Sequence, residues 1–370
     1  MILFIAYMIT LLYLIYLIWI SEPLFSKYKP EKVLYEPSIS IVISAKNESE
    51  NIIQLIKGLS AQNYPNNKFE IIIANDKSTD DTLNKMLSMQ NKLTNLKIIN
   101  IEKTPENWAS KKWALNQCIA KAKGEIVLQT DADCMHTQNW ILKMIEPFAQ
   151  KNIGFVAGPS FIGVKNNFWN QLLKLESIAQ ESFSYANSKR ELYLSCTARN
   201  IAFRKIVFQE IEGYNGISQI NSGDDDLLLH KIATQTSWNI KYIAHEKSLV
   251  ASTIPQSIKS FYLQRLRYAS KGLIYYNIQT PKEVKIILPF LFIVNLTSVI
   301  SILFFINNQT IYYFFPILIK SLGDLILINQ YMSKLKIDFK LLYFIILMII
   351  HPFYIIIIGG IAPFINIQWK

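Results

Sequence analysis

The chain has 370 residues, a formal net charge of +11 and 51% hydrophobic residues, which is near the upper end of the range for globular proteins. Its length allows one large domain or two ordinary ones. Its three cysteines are widely spaced and form no C-x-x-C pattern, which argues against a disulfide framework and a zinc site. No helix-turn-helix, ribonucleoprotein or zinc-finger pattern supports a nucleic-acid partner. The basic excess instead predicts contact with anionic lipid headgroups or with a phosphorylated substrate.

Apolar segments are concentrated at the two ends of the chain. The first covers residues 2–20, carries no charge and predicts an uncleaved transmembrane anchor. Three further membrane segments are predicted, at 284–306, 311–332 and 341–365. The middle one contains Lys320 and Asp324, which stand i and i+4 on a helix and are expected to pair. The alternative for this segment is a hydrophobic hairpin on the membrane surface.

Lysines in the short loops predict the orientation of these segments. Three of them follow the first segment, at Lys27, Lys29 and Lys32. Three others lie between the last two segments, at Lys334, Lys336 and Lys340. The positive-inside rule places both loops in the cytoplasm, and four crossings satisfy it with both termini outside. We therefore expect an anchor over 1–21, a cytoplasmic domain over 22–282 and about three transmembrane helices in 283–370. The predicted location is the inner (cytoplasmic) cell membrane, as a multi-pass protein.

From residue 38 onward, strands and helices alternate along the chain. Apolar, β-branched runs predict four strands, at 39–44, 69–74, 96–101 and 125–134. Helical spacing of apolar residues follows the first three of them. This order predicts an α/β fold, with a mostly parallel sheet flanked by helices. Ligands of such sheets bind beyond the carboxyl ends of the strands, where "AKNE", "NDKSTDD" and "DADC" fall. Neither G-x-G-x-x-G after the first strand nor a P-loop pattern is present.

The stretch "VLQTDADC", residues 127–134, places two carboxylates one residue apart after an apolar run. If strand geometry persists that far, Asp131 and Asp133 point to the same face. Carboxylate pairs of this kind favour a hard divalent cation, whereas an acidic turn in water is the alternative.

Taken together, these motifs resemble those of membrane-anchored family 2 glycosyltransferases, the inverting, processive-type branch that includes cellulose and hyaluronan synthases and ceramide glucosyltransferase. The resemblance covers nearly all of residues 38–272. It implies a GT-A nucleotide-diphospho-sugar transferase domain between N-terminal and C-terminal transmembrane helices, with a nucleotide-sugar donor. Because the D-x-D pattern matches, it also implies Mn²⁺ or Mg²⁺ at Asp131 and Asp133, with Asp131 near the donor.

Two loops resemble the donor-binding loops of that family. "SAKNESENI" matches the first nucleotide loop and implies donor contacts from Ala45, Asn47 and Glu48. "NDKSTDDT" matches the D-D-x-S-x-D turn and puts Asp76 at the position that recognises uracil, which favours a UDP-sugar. Asn75 and Lys77 depart from the usual Asp and Gly.

"SKKWALN" resembles the stretch G-K-x-x-A-L-N. Lys111 falls on the family lysine, where its ammonium can touch the donor phosphates or sugar. Lys112 is the alternative, and an exposed helix lysine is the ordinary interpretation of either.

"SGDDDLLLHKIA" resembles E-D-x-x-L-x-x-R and assigns the catalytic base to Asp225. Asp224 takes the position of the family glutamate and is assigned a contact with the acceptor or the diphosphate. Asp226 is the alternative candidate for the catalytic base. The neighbouring carboxylates are expected to raise the proton affinity of Asp225. A solvated acidic helix start is the alternative.

Two further motifs imply the acceptor side. "SCTARNIAFRK" resembles C-T-G-x-N-x-A-F-R, with Arg199 where a small residue is usual, which fits an anionic acceptor. "QRLRYASKG" resembles Q-x-x-R-W and implies acceptor or diphosphate contacts from four side chains, Gln264, Arg265, Arg267 and Tyr268. Alternatively, residues 255–282 form an interfacial helix held to headgroups by its basic residues.

The predicted function is transfer of a sugar from a nucleotide-sugar to a hydroxyl of a lipid or glycan, in contact with membrane lipids. A polyprenyl phosphate is the rival acceptor, although such an anion needs neither a base nor the Q-x-x-R-[WY] helix. A catalytically silent membrane scaffold is a further alternative. Loss of one acid among Asp131, Asp133 and Asp225 would have favoured it, but all three are present. A transporter is a further alternative, which only the four hydrophobic segments and one possible internal ion pair support.

Overall fold

The computed structural model describes residues 2–25, 35–255 and 257–365. The chain divides into two compact units. One, the helical unit, contains Met1–Lys29, Lys165–Leu194 and Ile254–Lys370. The other, the sheet unit, contains Pro30–Val164 and Ser195–Thr253.

The described part of the sheet unit contains ten strands. They are β1 Ile39–Ala45, β2 Phe69–Asp76, β3 Leu96–Ile101, β4 Ile126–Gln129, β5 Cys134–His136, β6 Ile153–Ala157, β7 Ser160–Ile162, β8 Ile201–Arg204, β9 Asn239–Tyr242 and β10 Val250–Ser252. Seven of them form one sheet in the order β3-β2-β1-β4-β8-β6-β9, and the other three form a small sheet in the order β5-β10-β7.

The large sheet is mostly parallel, as the sequence predicts. Strand β1 pairs in parallel with β2 and β4, and β2 pairs in parallel with β3. Strand β8 runs antiparallel between β4 and β6. The carboxyl ends of the four parallel strands therefore lie at one edge of the sheet.

The described residues contain thirteen α-helices in the two units. They are α1 Ile2–Ser21, α2 Ile52–Ser60, α3 Thr82–Gln90, α4 Ser110–Lys121, α5 Trp140–Ile145, α6 Phe168–Ser188, α7 Lys205–Glu210, α8 Asp226–Gln235, α9 Ile258–Ala269, α10 Ile274–Asn277, α11 Lys282–Asn308, α12 Phe315–Leu335 and α13 Leu341–Ile361.

The core of the sheet unit follows from two sequence periods. Alternate residues of β1 are buried in one cluster, because successive strand side chains point to opposite faces. Helix α2 adds residues at helical spacing to that same cluster, at Ile52, Leu55, Ile56 and Leu59. This packing fixes the loop between β1 and α2 at the carboxyl edge of the sheet.

The helical unit contains the four segments predicted to cross a membrane. Within the part of the chain that the structure describes, four helices are long and apolar enough to do so, over Ile2–Phe25, Lys282–Asn308, Ile311–Leu335 and Leu341–Ile361. The predicted pair on the third of them is confirmed, since Lys320 Nζ lies 2.7 Å from Asp324 Oδ2. The hydroxyl of Tyr13 donates a hydrogen bond to the other oxygen of Asp324, at 2.6 Å.

The two units differ from the single domain expected over 22–282. Helices α6 and α9 group with the apolar helices, because α6 packs against α12 and α13 and α9 packs against α13. The cytoplasmic placement of the sheet unit stays a prediction. Of the lysines on which it depends, Lys27, Lys29 and Lys32 lie outside the described residues.

Candidate active site

The loops after β1 and β2 are joined by hydrogen bonds at the carboxyl edge of the sheet. The last residue of β1, the buried Ala45, is in register with Asn75 of β2. In the loops that follow, the Thr79 amide donates to Asn47 Oδ1 at 2.8 Å, and the Glu48 amide donates to Thr82 Oγ1 at 2.8 Å. These contacts bring together the two segments that were predicted to bind the donor.

Both loops contain a residue in the left-handed region of backbone conformation. Asn47 and Lys77 each have φ of +56°. The resemblance gives a common Gly at position 77, and this φ explains why glycine suits it. Lys77 tolerates the conformation here while its ammonium donates to Ser110 Oγ at 2.7 Å.

Asp76, the predicted base-recognising residue, is the final residue of β2 and is only 1% exposed. Its Oδ1 accepts a hydrogen bond from Ser110 Oγ at 2.6 Å and lies 3.3 Å from Lys77 Nζ. The carboxylate is thus held rigidly between the end of β2 and the start of α4.

Lys111 joins two carboxylates that are far apart in sequence. Its Nζ lies 2.9 Å from Asp131 Oδ1 and 2.9 Å from Asp224 Oδ2. Burial opposes the lysine's charge, but the two carboxylates outweigh burial and raise its pKa well above the usual value. For Asp224, burial is the largest effect and raises the pKa, but the charges of Lys111 and Lys112 and the hydrogen bonds together leave it lowered. The three side chains therefore form a charged cluster at the predicted site.

Lys112, the alternative to Lys111, has a structural role. It is 1% exposed, and its ammonium donates to three backbone carbonyl oxygens, of Ile217 at 2.7 Å, Ile220 at 2.9 Å and Ser222 at 2.9 Å. It therefore fixes the loop that leads into Asp224.

The D-x-D pair lies in a turn and not on a strand. Strand β4 ends at Gln129, and the amide of Cys134 donates to the carbonyl oxygen of Asp131 at 3.3 Å. The prediction that strand alternation aligns the two carboxylates is wrong in this detail. The turn keeps them close enough for their charges to interact, because Asp131 contributes to the raised pKa of Asp133 after the larger effect of burial.

Several carboxylates interact around this turn, of which Asp131 is paired with Lys111. Burial raises the pKa of Glu48 to about 7, and the carboxylates of Asp133 and Asp131 add to the rise. A divalent cation would remove this repulsion, so the donor set fits a hard metal ion. Among the described residues, no group of three or more His, Cys, Asp or Glu side chains already has the arrangement of a metal site.

Asp225 is the N-cap residue of α8. Its Oδ1 accepts from the Asp226 amide at 2.7 Å, and its Oδ2 accepts from the Ala198 amide at 2.8 Å. The second bond joins the predicted base to the "CTARN" segment. Its neighbour Asp224 is paired with Lys111, and the raised proton affinity expected for Asp225 stays a prediction.

Arg199 carries a positive charge beside the D-x-D turn. Its Nη2 lies 3.2 Å from Ser160 Oγ, and its guanidinium opposes the rise in the pKa of Asp133. Its carbonyl oxygen accepts from Thr130 Oγ1 at 2.8 Å. These contacts hold the segment before β8 against the end of β4.

The Q-x-x-R-Y residues lie on α9, in the helical unit. Arg265 is only 5% exposed and forms an ion pair with Glu176 of α6. Tyr268 is 38% exposed, and the guanidinium of Arg267 lies 5.4 Å from its ring centre. Gln264 Oε1 is buried and has no hydrogen-bond partner among the described residues. The burial of Arg265 contradicts the alternative in which it binds lipid headgroups.

Two residues at these sites, Glu176 and Thr253, belong to none of the motifs. Glu176 is a single acid on the apolar side of a helical pattern, in "LLKLESIA", and that pattern was its only signal. Thr253 Oγ1 donates to Asp133 Oδ2 at 3.2 Å, and no motif surrounds it.

Comparisons with known proteins show which sequences and folds the chain is similar to. Residues 40–212 match the model of the family described as glycosyl transferase family 2. A beta-monoglucosyldiacylglycerol synthase from a Nostoc species is 31% identical over 136 residues, which are 36% of this chain and 29% of that protein. The chain thus spans less than a third of the length of this relative.

Two other proteins match over more of the chain. A dolichyl N-acetyl-alpha-D-glucosaminyl phosphate 3-beta-D-2,3-diacetamido-2,3-dideoxy-beta-D-glucuronosyltransferase from Methanococcus voltae is 27% identical over 65% of this chain and 76% of its own. The structure of the mannosyltransferase PcManGT from Pyrobaculum calidifontis, in complex with GDP-Man and Mn²⁺, has a TM-score of 0.60 and 16% identity. It covers 96% of this chain and 93% of its own, and the likeness confirms the GT-A fold.

Proposed function

We propose that the chain is a glycosyltransferase that transfers a sugar from a nucleotide-sugar to a hydroxyl of a lipid or glycan, with inversion at the anomeric carbon. The match of residues 40–212 to the glycosyl transferase family 2 model supports this proposal. The observation that carries the proposal is the cluster in which Lys111 bridges Asp131 and Asp224, next to Asp225. A base (Asp225), a cation (Lys111) and carboxylates that would bind a metal ion are the groups that a single-step displacement of the nucleotide at the anomeric carbon needs.

The donor side is built from the loops at the carboxyl edge. Asp76 recognises the base, with a UDP-sugar favoured, while the backbone around Ala45, Asn47 and Glu48 borders the nucleotide. Lys111 has its charge fixed at this edge and is placed to meet donor phosphate oxygens. The related Pyrobaculum structure was determined with a nucleotide-sugar, GDP-Man, which supports a donor of this class.

Asp131 and Asp133 would hold Mn²⁺ or Mg²⁺. Such an ion, when bound, supplies positive charge that stabilises the diphosphate as it leaves. The interaction of these acids supports the assignment: burial is the main cause of the raised pKa values of Asp133 and Glu48, and nearby carboxylates add to both rises.

Asp225 is the proposed general base. Two backbone amides hold its carboxylate, from Ala198 and Asp226, so its orientation is set before an acceptor binds. A carboxylate fixed in this way can take the proton of the acceptor hydroxyl as the hydroxyl oxygen attacks the anomeric carbon. Asp224 orients Lys111 and is not itself available as a base, because it is paired.

The acceptor is proposed to be a membrane lipid or lipid-linked glycan. The four apolar helices support a multi-pass membrane protein, and we place the sheet unit on the cytoplasmic side of the inner membrane. Gln264, Arg267 and Tyr268 of α9 are the proposed contacts to acceptor or leaving diphosphate. The name of the Nostoc relative, a glucosyldiacylglycerol synthase, supports a lipid acceptor.

One observation favours a second candidate, an anionic acceptor such as a polyprenyl phosphate. Arg199 places a guanidinium beside Asp133, next to the segment that holds Asp225. If this charge selects the acceptor, Arg199→Gln will lower transfer to phosphate-bearing lipids and leave neutral lipids unaffected. An equal loss with both lipid classes would remove the support for the second candidate.

The first experiment measures nucleotide release by the detergent-solubilised protein from UDP-, GDP- and dTDP-sugars, with Mn²⁺ or with chelator. Metal-dependent release from one donor, lost in Asp131→Ala, is the expected result. Candidate lipids are then added with that donor. Neither release nor metal-dependent nucleotide binding with any donor would favour the silent scaffold instead.

A further inference from the structure

The helical unit contains a buried carboxylate that no motif explains. Glu176 lies on α6 and is 2% exposed. Its side chain forms an ion pair with Arg265 of α9, accepts a hydrogen bond from the Tyr354 hydroxyl of α13, and accepts another from Gln180 Nε2 at 3.0 Å. A single carboxylate thus connects three helices.

Apolar contacts reinforce the same junction. Leu266 of α9 is buried in one cluster with Ile358 of α13 and with Ala362. The guanidinium of Arg265 lies 5.0 Å from the ring centre of Phe261, and that ring is 6.4 Å from the ring of Tyr354. Helix α9 is therefore attached to α13 and α6 through its Arg265 and Leu266 sides.

This attachment sets the rotation of α9 about its axis. At 100° per residue, Gln264, Arg267 and Tyr268 share one face, and Leu266 lies on the opposite face. Fixing Leu266 and Arg265 on the neighbouring helices therefore also fixes the direction in which the Gln264 face points. The exposed ring of Tyr268 agrees with this arrangement.

Stability alone does not account for the ion pair. Well-packed apolar residues often replace a buried ion pair without loss of stability, because the pair has to offset its own desolvation. What charged partners add is directional specificity, since only one rotation of α9 brings the Arg265 guanidinium to the Glu176 carboxylate. An apolar contact would accept several rotations.

We propose that Glu176 and Tyr354 are positioning residues, which fix the rotation of α9 through Arg265 and so set the direction of the face that carries Gln264, Arg267 and Tyr268. Arg265 is then an anchor and not a diphosphate ligand. The proposal rests on the proposed function for the role of that face. The attachment itself is independent of the reaction.

The test compares wild-type protein with Glu176→Gln in lipid nanodiscs, by hydrogen–deuterium exchange of the α9 peptide. Glu22→Gln is the matched control, because Glu22 also pairs with an arginine, Arg190, at 2.8 Å but is solvent-exposed and distant in sequence from α9. We expect α9 amides to exchange about tenfold faster in Glu176→Gln, because local opening becomes easier, and to be unchanged in Glu22→Gln.

Activity provides the second measurement. We expect kcat/KM for the acceptor to fall about 100-fold in Glu176→Gln, as misplacement of contact residues produces, with acceptor-free donor hydrolysis within about twofold of wild type. The double variant Glu176→Arg with Arg265→Glu should recover part of both losses. Unchanged exchange of α9, or an equal loss of donor hydrolysis and transfer, would overturn the proposal.

Two outcomes require a further measurement: a Glu176→Gln variant that does not fold, and a wild-type protein without transferase activity. If Glu176→Gln does not yield folded protein, Tyr354→Phe keeps both charges and should show a smaller change in the same direction, and unchanged α9 exchange there would overturn the positioning role. If wild-type protein transfers no sugar, the proposed function fails, while the exchange measurement still decides whether the attachment exists.

Discussion

The ammonium of Lys111 lies 2.9 Å from a carboxylate oxygen of Asp131, the first acid of the D-x-D turn. The lysine thus provides positive charge at a carboxylate that is also a proposed metal ligand. A donor diphosphate would meet the Lys111 ammonium and, when it is bound, the metal ion. Each of these positive charges would neutralise part of the charge of the diphosphate. Several measurable consequences depend on this cluster and on the residues around it.

Replacing Lys111 with methionine should reduce catalysis and preserve the fold. Loss of a preorganised charge at a leaving group lowers kcat by about 100-fold in comparable sites. We therefore expect nucleotide release in the presence of Mn²⁺ to fall by that order, with an unchanged circular dichroism spectrum. Release at the wild-type rate would show that the lysine only balances Asp131 and Asp224 in the unliganded protein.

Lys112→Met is the natural comparison, and its effect should be on stability. Its ammonium serves three carbonyl oxygens in a buried position, and all three lose their donor in the variant. The free energy of unfolding should fall by about 3 kcal/mol, because buried acceptors are left unsatisfied. Thermal unfolding of the two lysine variants side by side measures the difference. A Lys112→Met protein as stable as Lys111→Met would contradict the structural role.

Asp225→Asn should abolish transfer and leave donor binding intact. Asparagine can still accept a backbone hydrogen bond through its side-chain oxygen, but it cannot take a proton, and loss of a general base typically costs about 10²–10⁴-fold in rate. The measurement is transfer to a lipid acceptor together with calorimetric binding of the donor.

Asp226→Asn is the control, since Asp226 is 2% exposed and was the fallback for the base. Transfer that survives in Asp225→Asn and disappears in Asp226→Asn would reverse the assignment.

The raised pKa of Glu48 leads to a prediction of how metal binding depends on pH. Burial raises its pKa from the usual 4.5 to about 7, and nearby carboxylates contribute. Because the folded state holds this proton more tightly than the unfolded state, the associated stability is present below pH 4.5 and is lost as the pH rises through about 7. A cation held by Asp131 and Asp133 is attracted more strongly once the nearby Glu48 is ionised, so its binding strengthens over the same range.

We therefore expect the metal-free Tm to decrease between pH 5 and pH 8, and the increase in Tm caused by Mn²⁺ to grow. Glu48→Gln should flatten both trends. A Mn²⁺ effect that is independent of pH in the wild-type protein would show that Glu48 does not sense the metal.

The order of strands, helices and acidic turns could be predicted because it depends on local rules. Alternating and helical spacing of apolar residues identified β1 and α2, and parallel strands put their following loops at one edge. The lengths of the apolar segments likewise predicted four membrane-compatible helices, which the structure has. Within one helix, the spacing of Lys320 and Asp324 was enough to predict their pairing.

Contacts between distant residues were decided only by the tertiary structure. The sequence could not distinguish Lys111 from Lys112, because adjacent helix residues point in different directions and only their partners, more than 100 residues away for Lys112, give them different roles. The pairing of Asp224 with Lys111 was likewise not predictable from the sequence.

Glu176 shows the same limit most clearly. Periodicity describes which side of a helix is buried, but a charged residue is tolerated there only if a partner arrives from elsewhere in the chain. The partner, Arg265, is on a helix that the sequence assigned to headgroups and diphosphate. The sequence by itself determined the local elements and the chemistry of their loops, whereas the long-range pairing of buried charges required the folded chain, because it depends on distances that no local pattern encodes.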